Sequence, residues 1–264
     1  MQLVPDIDSG HESQHIISFI KNTVVNSGFS DVIIAVSGGV DSALSLILSV
    51  QAVGVQRVHV LLLPYGTLNP QGTEDAKLVI EAAGLSHVLV QVINIQPMVD
   101  SFDPQGEMDM MRLGNVMARV RMIVLYDMAR KHRSLVIGTE NRSEYLLGYF
   151  TRFGDEASDI EPIRHLYKTQ VYKLATYSKV PEKILQKAPT AGLWKDQTDE
   201  KEFGFSYEIA DQILYGLFEL HLSESDLIKK GLEASQIEKV QKWVKKNKFK
   251  HEVPQVYRKN ASVF

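Results

Sequence analysis

The 264-residue chain contains no cysteine. That absence excludes disulfides, thiolate metal sites, persulfide chemistry and a cysteine nucleophile within the chain. An excess of one charge is lacking too. Against 29 Lys and Arg stand 32 Asp and Glu, a formal net charge of −3 that argues against a general polyanion binder. No apolar run approaches the roughly 18 residues a membrane span needs. The opening MQLVPDIDSGHESQ has no charged segment followed by an apolar one, so no signal peptide is expected and a cytoplasmic location is. The eight histidines form no H-E-x-x-H and no paired ligand spacing, so no structural metal is assigned.

What is present centres on one stretch. Val32-Ile33-Ile34-Ala35-Val36 reads as a buried strand, Ser37-Gly38-Gly39-Val40-Asp41-Ser42 as a small-residue turn, and 43–53 as a helix closed by Gly54. Gly38 and Gly39 let backbone N–H groups converge, and the helix start adds its own donors, which makes an anion site. The lysine of the common G-x-x-x-x-G-K-[ST] nucleotide loop is missing, and Asp41 stands there instead. A helix N-terminus favours an anion by only about 0.3–1 kcal/mol, too little to offset a carboxylate facing phosphates. Mg²⁺ resolves the conflict, because it binds carboxylate and phosphate oxygens together. The other reading is a Gly-Gly strand-to-helix turn with Asp41 as its N-cap.

Apolar strands at 58–63, 88–93 and 134–137 alternate with helices at 72–83 and 109–131, after an amphipathic helix at 12–27. A short fifth strand is expected near 160–163. The pattern predicts an α/β fold, a doubly wound parallel five-stranded sheet of order 3-2-1-4-5. From 166 to 264 the chain turns helical, at 168–178, 181–186, 206–220, 223–230 and 235–247, while 190–205 reads as a polar, irregular loop. One domain, 1–264, is expected, with an α/β core over 1–165 and the helical portion after it. In that order the crevice lies between strands one and four. It brings the 37–42 turn toward Gly138-Thr139-Glu140-Asn141-Arg142-Ser143-Glu144, so that Asp41 and Glu144 can share a metal.

Weaker signals surround this pair. Arg119 and Arg121 lie among apolar helix residues, and a buried arginine needs an anion from ligand or protein. Gly148–Asp155 alternates aromatic groups with Arg152, which suits a flat ring or ordinary packing. Lys168 opposes the dipole at its helix start, as a phosphate ligand or an exposed bystander would. The lysines of the last helix fit a solvated face.

SGGVDS resembles the PP-loop of the N-type ATP pyrophosphatases. Together with LPYG, GNVMARVRM, GTENRSE, GYFTRFGD, DIEP, LYKTQVYKLA, APTAGL and QTDEKEFGFSYEIAD, it resembles the ammonia-dependent NAD⁺ synthetases over about 32–254. The resemblance implies ATP-dependent amidation of deamido-NAD⁺ with ammonia, through an acyl-adenylate, with AMP and pyrophosphate released. It implies that Ser37, Gly38, Gly39, Asp41, Ser42, Thr139, Lys168 and Thr190 meet ATP, and that Asp41 and Glu144 bind Mg²⁺. Arg119, Arg152, Asp159 and Lys250 would contact deamido-NAD⁺. Asp41 and Lys168 would act in catalysis, with Asp155 as the base for ammonium. Two departures stand out: Arg152 replaces a frequent lysine, and Phe249 precedes Lys250 where the family often has histidine. The loops 65–72 and 191–205 are lid candidates. Lacking the length and the cysteine of a fused glutaminase, the chain is expected to use free ammonia or a separate donor. The resemblance also implies a homodimer, with no nucleic acid or membrane partner. Competing readings are a tRNA-modifying PP-loop ligase and a non-catalytic ATP-binding module.

Overall fold

The computed structural model describes residues 2–85, 89–194, 197–252, 254 and 257. Its elements run α1 (Ser9–Asn26), β1 (Asp31–Ala35), α2 (Val40–Val53), β2 (Val58–Leu62), α3 (Pro70–Ala82), β3 (Val90–Val92), α4 (Gln96–Asp100), α5 (Met110–His132), β4 (Ser134–Ile137), α6 (Arg142–Leu147) and α7 (Lys168–Tyr177). Then follow α8 (Glu182–Leu185), α9 (Asp199–Phe203), α10 (Tyr207–Phe218), α11 (Glu224–Lys229) and α12 (Ala234–Asn247).

Successive residues of a strand point to opposite faces, and β1 is apolar at both. Val32 and Ile34 enter one core with α1, α2, α3 and α7, whereas Ile33 enters a second beneath α4 and α5. A strand buried on both sides belongs in a parallel sheet covered by helices. The sheet is parallel and ordered β3-β2-β1-β4. A third cluster joins α6, α10 and α12, and Val4 of the N-terminal segment packs into it.

Three expectations change. The described residues form four strands, not five; the fifth place holds a single parallel bridge between Ile137 and Ile160. Asp159 N and Ile160 N both donate to Val136 O, and Gly138 N donates to Ile160 O at 2.8 Å. Two residues on, Pro162 has no N–H with which to extend the ladder. Strand three begins at Val90, and Val88, its expected start, lies outside the described residues. The stretch 190–205 is not irregular throughout, since it contains α9. No helix among the described residues is long and apolar enough to cross a membrane.

Winding reverses between β1 and β4, so the crevice at their carboxyl ends is where a ligand belongs. Both following turns open there.

Candidate active site

The turn after β1 depends on its first glycine. Gly38 has φ of +81°, and a Cβ there would lie 2.4 Å from Gly72 O, a backbone atom that cannot swing away. Gly39 caps α2 and brings no side chain to bond the first turn's N–H groups, which leaves them to an incoming anion. The Ser37 and Ser42 hydroxyls lie 3.1 Å apart, and Ser42 Oγ donates to Gly39 O at 3.1 Å, which ties the turn to the helix.

The turn after β4 is built around Asn141, which is fully buried. Its Oδ1 accepts from Glu144 N at 3.0 Å, capping α6, and its Nδ2 donates to Asp41 Oδ1 at 2.8 Å. One side chain thus fixes both acidic turns. Between the acids stands Lys168: its Nζ lies 2.7 Å from Asp41 Oδ2 and 3.1 Å from Glu144 Oε1. The lysine is only 2% exposed. Its helix is anchored by Ser143 Oγ, which accepts from Lys168 N at 2.9 Å, and by Asp211 Oδ2, which accepts from Thr169 N at 2.9 Å. Ser143 Oγ in turn donates to Asp211 Oδ1. Burial pushes the Asp211 carboxyl up to about 6.

Two acids and one lysine leave this centre short of positive charge. Burial pushes the Glu144 carboxyl up to about 8, with Lys168 pulling it down and Asp41 adding to the rise. Burial also acts against the Lys168 ammonium, but Asp41 and Glu144 outweigh it, so that group sits above its ordinary range and stays charged. Two convergent carboxylates facing an open cavity suit a hard divalent cation that takes its remaining oxygens from phosphate. Among the described residues no three acidic or histidine side chains gather to hold a metal unaided.

The cavity measures about 320 Å³. Ser37, Gly39, Asp41, Ser42, Thr139 and Thr190 line it, as do Glu144, Lys168 and Asp155. Gly38 packs away from it, against Gly72. Asp155 Oδ1 accepts from Thr151 N at 2.8 Å, and burial raises its carboxyl. The four residues expected at deamido-NAD⁺ lie outside this lining. Arg119 Nε donates to Arg152 O at 3.2 Å, and the Arg152 guanidinium covers the Phe249 ring at 5.1 Å. Lys250 Nζ donates to Gly148 O and Phe150 O, both at 2.7 Å, bracing the 148–155 wall. Asp159 stands apart at the sheet edge, where its Oδ2 accepts from Val136 N at 2.8 Å.

The lid candidates touch each other. A Cβ on Gly192 would fall 2.9 Å from Asn69 Nδ2. Lys195 and Asp196, within the second loop, lie outside the described residues. Asp199, 3% exposed, holds this region down: its Oδ1 accepts from Ala191 N and Tyr149 OH, and its Oδ2 from Tyr207 OH.

A family model described as NAD synthase matches residues 12–254. The chain belongs to the NAD synthase family. It is 43% identical over 242 residues to the NH(3)-dependent NAD(+) synthetase of Thermococcus kodakarensis, covering 90% of this chain and 93% of that one. To the corresponding enzyme of Chlorobium phaeobacteroides it is 40% identical over 247 residues, covering 93% and 88%. Among solved structures, an NH3-dependent NAD synthetase from Campylobacter jejuni is similar with a TM-score of 0.80 and 34% identity, covering 96% of this chain and all of that one. A structure described as NMN synthetase from Francisella tularensis is similar with a TM-score of 0.83 and 33% identity, over 96% and 100%.

The 37–42 turn and the 138–144 turn thus face one cavity, and the structure gives further residues a place beside them. Arg121 lines the cavity and donates through Nε to Leu63 O at 3.0 Å. Its signal was the apolar setting of its helix, which implies burial. Tyr149 lies in GYFTRFGD, and Asp199 and Asp211 in QTDEKEFGFSYEIAD, but nothing in those stretches marks them individually; the packing of the helical portion brings them in.

Proposed function

We propose that this chain forms NAD⁺ from deamido-NAD⁺, ammonia and ATP, a carbon–nitrogen ligase reaction that releases AMP and pyrophosphate. The carrying observation is Lys168, held between Asp41 and Glu144 beside the glycine turn, at the crevice where the fold places ligands. The similarity to NH3-dependent NAD synthetases over most of the chain supports the substrate.

A nicotinate carboxylate is a poor electrophile for ammonia. Its oxygen bonds to the α-phosphorus of ATP while the bond from that phosphorus to the bridging oxygen breaks, and the electron pair leaves on pyrophosphate. The nitrogen of ammonia then bonds to the acyl carbon, the electron pair of the broken C–O bond leaves on AMP, and the nitrogen sheds its extra proton to solvent to leave the neutral amide. The 37–42 turn presents N–H groups to the phosphates, Thr139 and Thr190 line the same cavity, and Lys168 balances charge on the reacting phosphate. Asp41 and Glu144 would hold Mg²⁺, which when bound neutralises triphosphate charge. Asp155, a cavity-lining carboxyl raised by burial, takes the proton that ammonium gives up. Arg119, Arg152 and Lys250 serve the dinucleotide from the 148–155 wall, and Asp159 acts from the sheet edge. Contact between the 65–72 and 191–205 loops supports a lid that keeps water from the acyl-adenylate. A homodimer accounts for the exposed Phe153 and Phe249 beside Arg152, at 56% and 54% exposure.

The test supplies Mg-ATP, ammonium and deamido-NAD⁺ and follows NAD⁺ and pyrophosphate; light scattering of the same preparation reads the dimer mass. Equimolar NAD⁺ and pyrophosphate is the expected result. The likeness to a structure described as NMN synthetase motivates a parallel assay with nicotinate mononucleotide. Turnover confined to the mononucleotide would replace the dinucleotide as substrate. Pyrophosphate formed only with tRNA, or not at all, overturns the reading.

A further inference from the structure

A second charge centre stands on the other side of the glycine turn. Asp75 of α3 is 1% exposed and backs onto that turn: a Cβ on Gly38 would meet Asp75 Cβ at 2.9 Å. Its Oδ1 accepts from Gln71 Nε2 at 2.7 Å and pairs with Lys183 Nζ at 3.0 Å, while its Oδ2 pairs with Lys187 Nζ at 3.1 Å. The balance is the reverse of that at Lys168: one acid against two bases. The two lysines differ in place. Lys187 lines the nucleotide cavity and its side chain is 27% exposed, whereas Lys183 is 55% exposed and outside the lining. Tyr172 OH donates to Lys187 O at 3.3 Å, which fixes the backbone from which the side chain swings.

We infer that Lys187 binds the pyrophosphate end of ATP, its ammonium passing from Asp75 to the terminal phosphates and staying with them as pyrophosphate leaves. This rests on the nucleotide site proposed above. A buried carboxylate directly behind a phosphate loop opposes phosphate binding unless a cation screens it. When Lys187 turns away, Gln71 and Lys183 still hold Oδ1, so Asp75 is not left as an unpaired buried charge. A lysine suits the task, because its ammonium is a compact charge with three donors on a flexible stem and can share them between two acceptors. The cavity then carries a metal-seeking acidic centre at Lys168 and a phosphate-seeking basic centre at Lys187, one on each flank of the turn. Lys187 moves no proton; it meets the charge that develops on the departing oxygens.

The test is calorimetric binding of inorganic pyrophosphate, with Mg²⁺, and separately of AMP, to the intact enzyme and to Lys187→Met and Lys187→Arg. Loss of one charge-assisted contact predicts about tenfold or weaker pyrophosphate binding for Lys187→Met. AMP affinity is expected to hold, and Lys187→Arg to retain most of the pyrophosphate binding. In turnover, KM for ATP rises while KM for ammonium does not. Equal pyrophosphate affinity in the parent and Lys187→Met overturns the inference, and so does parallel loss of AMP and pyrophosphate binding in both variants. Because pyrophosphate binding is read directly, a parent enzyme that fails to amidate deamido-NAD⁺ would sink the substrate assignment alone.

Discussion

The two ends of the central sheet handle polar groups in opposite ways. At the amino end, His59 of β2 pairs with Asp31 of β1 at 3.0 Å and stacks on His132 at 4.2 Å, and Gln91 of β3 closes the group onto His132 at 3.1 Å. Each polar side chain there is answered by another of similar weight. At the carboxyl end the accounts are left open. Asp41 and Glu144 share one lysine, Asp75 takes two, and the first turn of α2 has no side-chain cap. The same four strands support both ends, so the difference is not one of scaffold. Buried charge without local balance is costly, and it is tolerated where a ligand completes it.

The sharpest break in that comparison is Asp41→Asn. The substitution keeps shape and can still accept from Asn141, but it removes one of the two acids. Turnover is expected to fall by about 10²–10³, the scale of losing a preorganised electrostatic partner, with the melting temperature little changed. Steady-state kinetics and a thermal melt decide it; unchanged kcat would remove Asp41 from the chemistry.

A tenfold-scale effect follows from Glu144. Its carboxyl is raised from 4.5 to about 8, chiefly by burial, so the metal-free fold carries a proton that the unfolded chain has released. The metal-free fold therefore loses stability as pH rises through that window. Mg²⁺ held by Asp41 and Glu144 as proposed would displace the same proton, so its apparent affinity with ATP would rise with pH, by up to about tenfold per unit, and level off above about 8. Titrations of Mg-ATP binding at several pH values test this. Affinity independent of pH between the ordinary carboxyl value of 4.5 and about 8 would place the ion elsewhere.

The turn after β1 was legible because strand, turn and helix signals are contiguous: five apolar residues, two glycines and a helical repeat leave few ways to fold. The order of the first four strands followed from apolar runs long enough to be buried on both faces. The fifth did not, because residues 160–163 look apolar while Pro162 and the Glu161 carboxylate, which accepts from Glu140 N, end the pairing after one bridge. Asp199 lies in QTDEKEFGFSYEIAD, which has meaning only through the resemblance, and its burial is created by Tyr149 and Tyr207 arriving from other elements. Lys187 was silent for the same reason. Its partner Asp75 is remote in sequence, and the acid's burial against Gly38 is a product of packing.

The smallest expected effect tests the quiet end of the sheet. Burial lowers the His132 imidazole below its ordinary 6.5, with His59 and Lys131 adding to the shift and Asp31 opposing it. The unfolded chain then takes up a proton before the fold does. This group's contribution to stability is full above 6.5 and is lost as pH falls through the lowered folded value. The ring pair is only partly sheltered, so the change should amount to no more than a few degrees, given about 2–4 °C per kcal/mol for chains of this general size. Thermal melts of the parent and His132→Gln between pH 5.5 and 7.5, bracketing that value, should differ in slope, with the parent steeper. Pyrophosphate release at saturating substrate should be the same in both, because Asp31, His59, Gln91 and His132 lie outside the cavity lining. A variant that changed turnover and left the slope alone would mean that the two ends are coupled through the strands, and the division between a balanced end and an open one would fail.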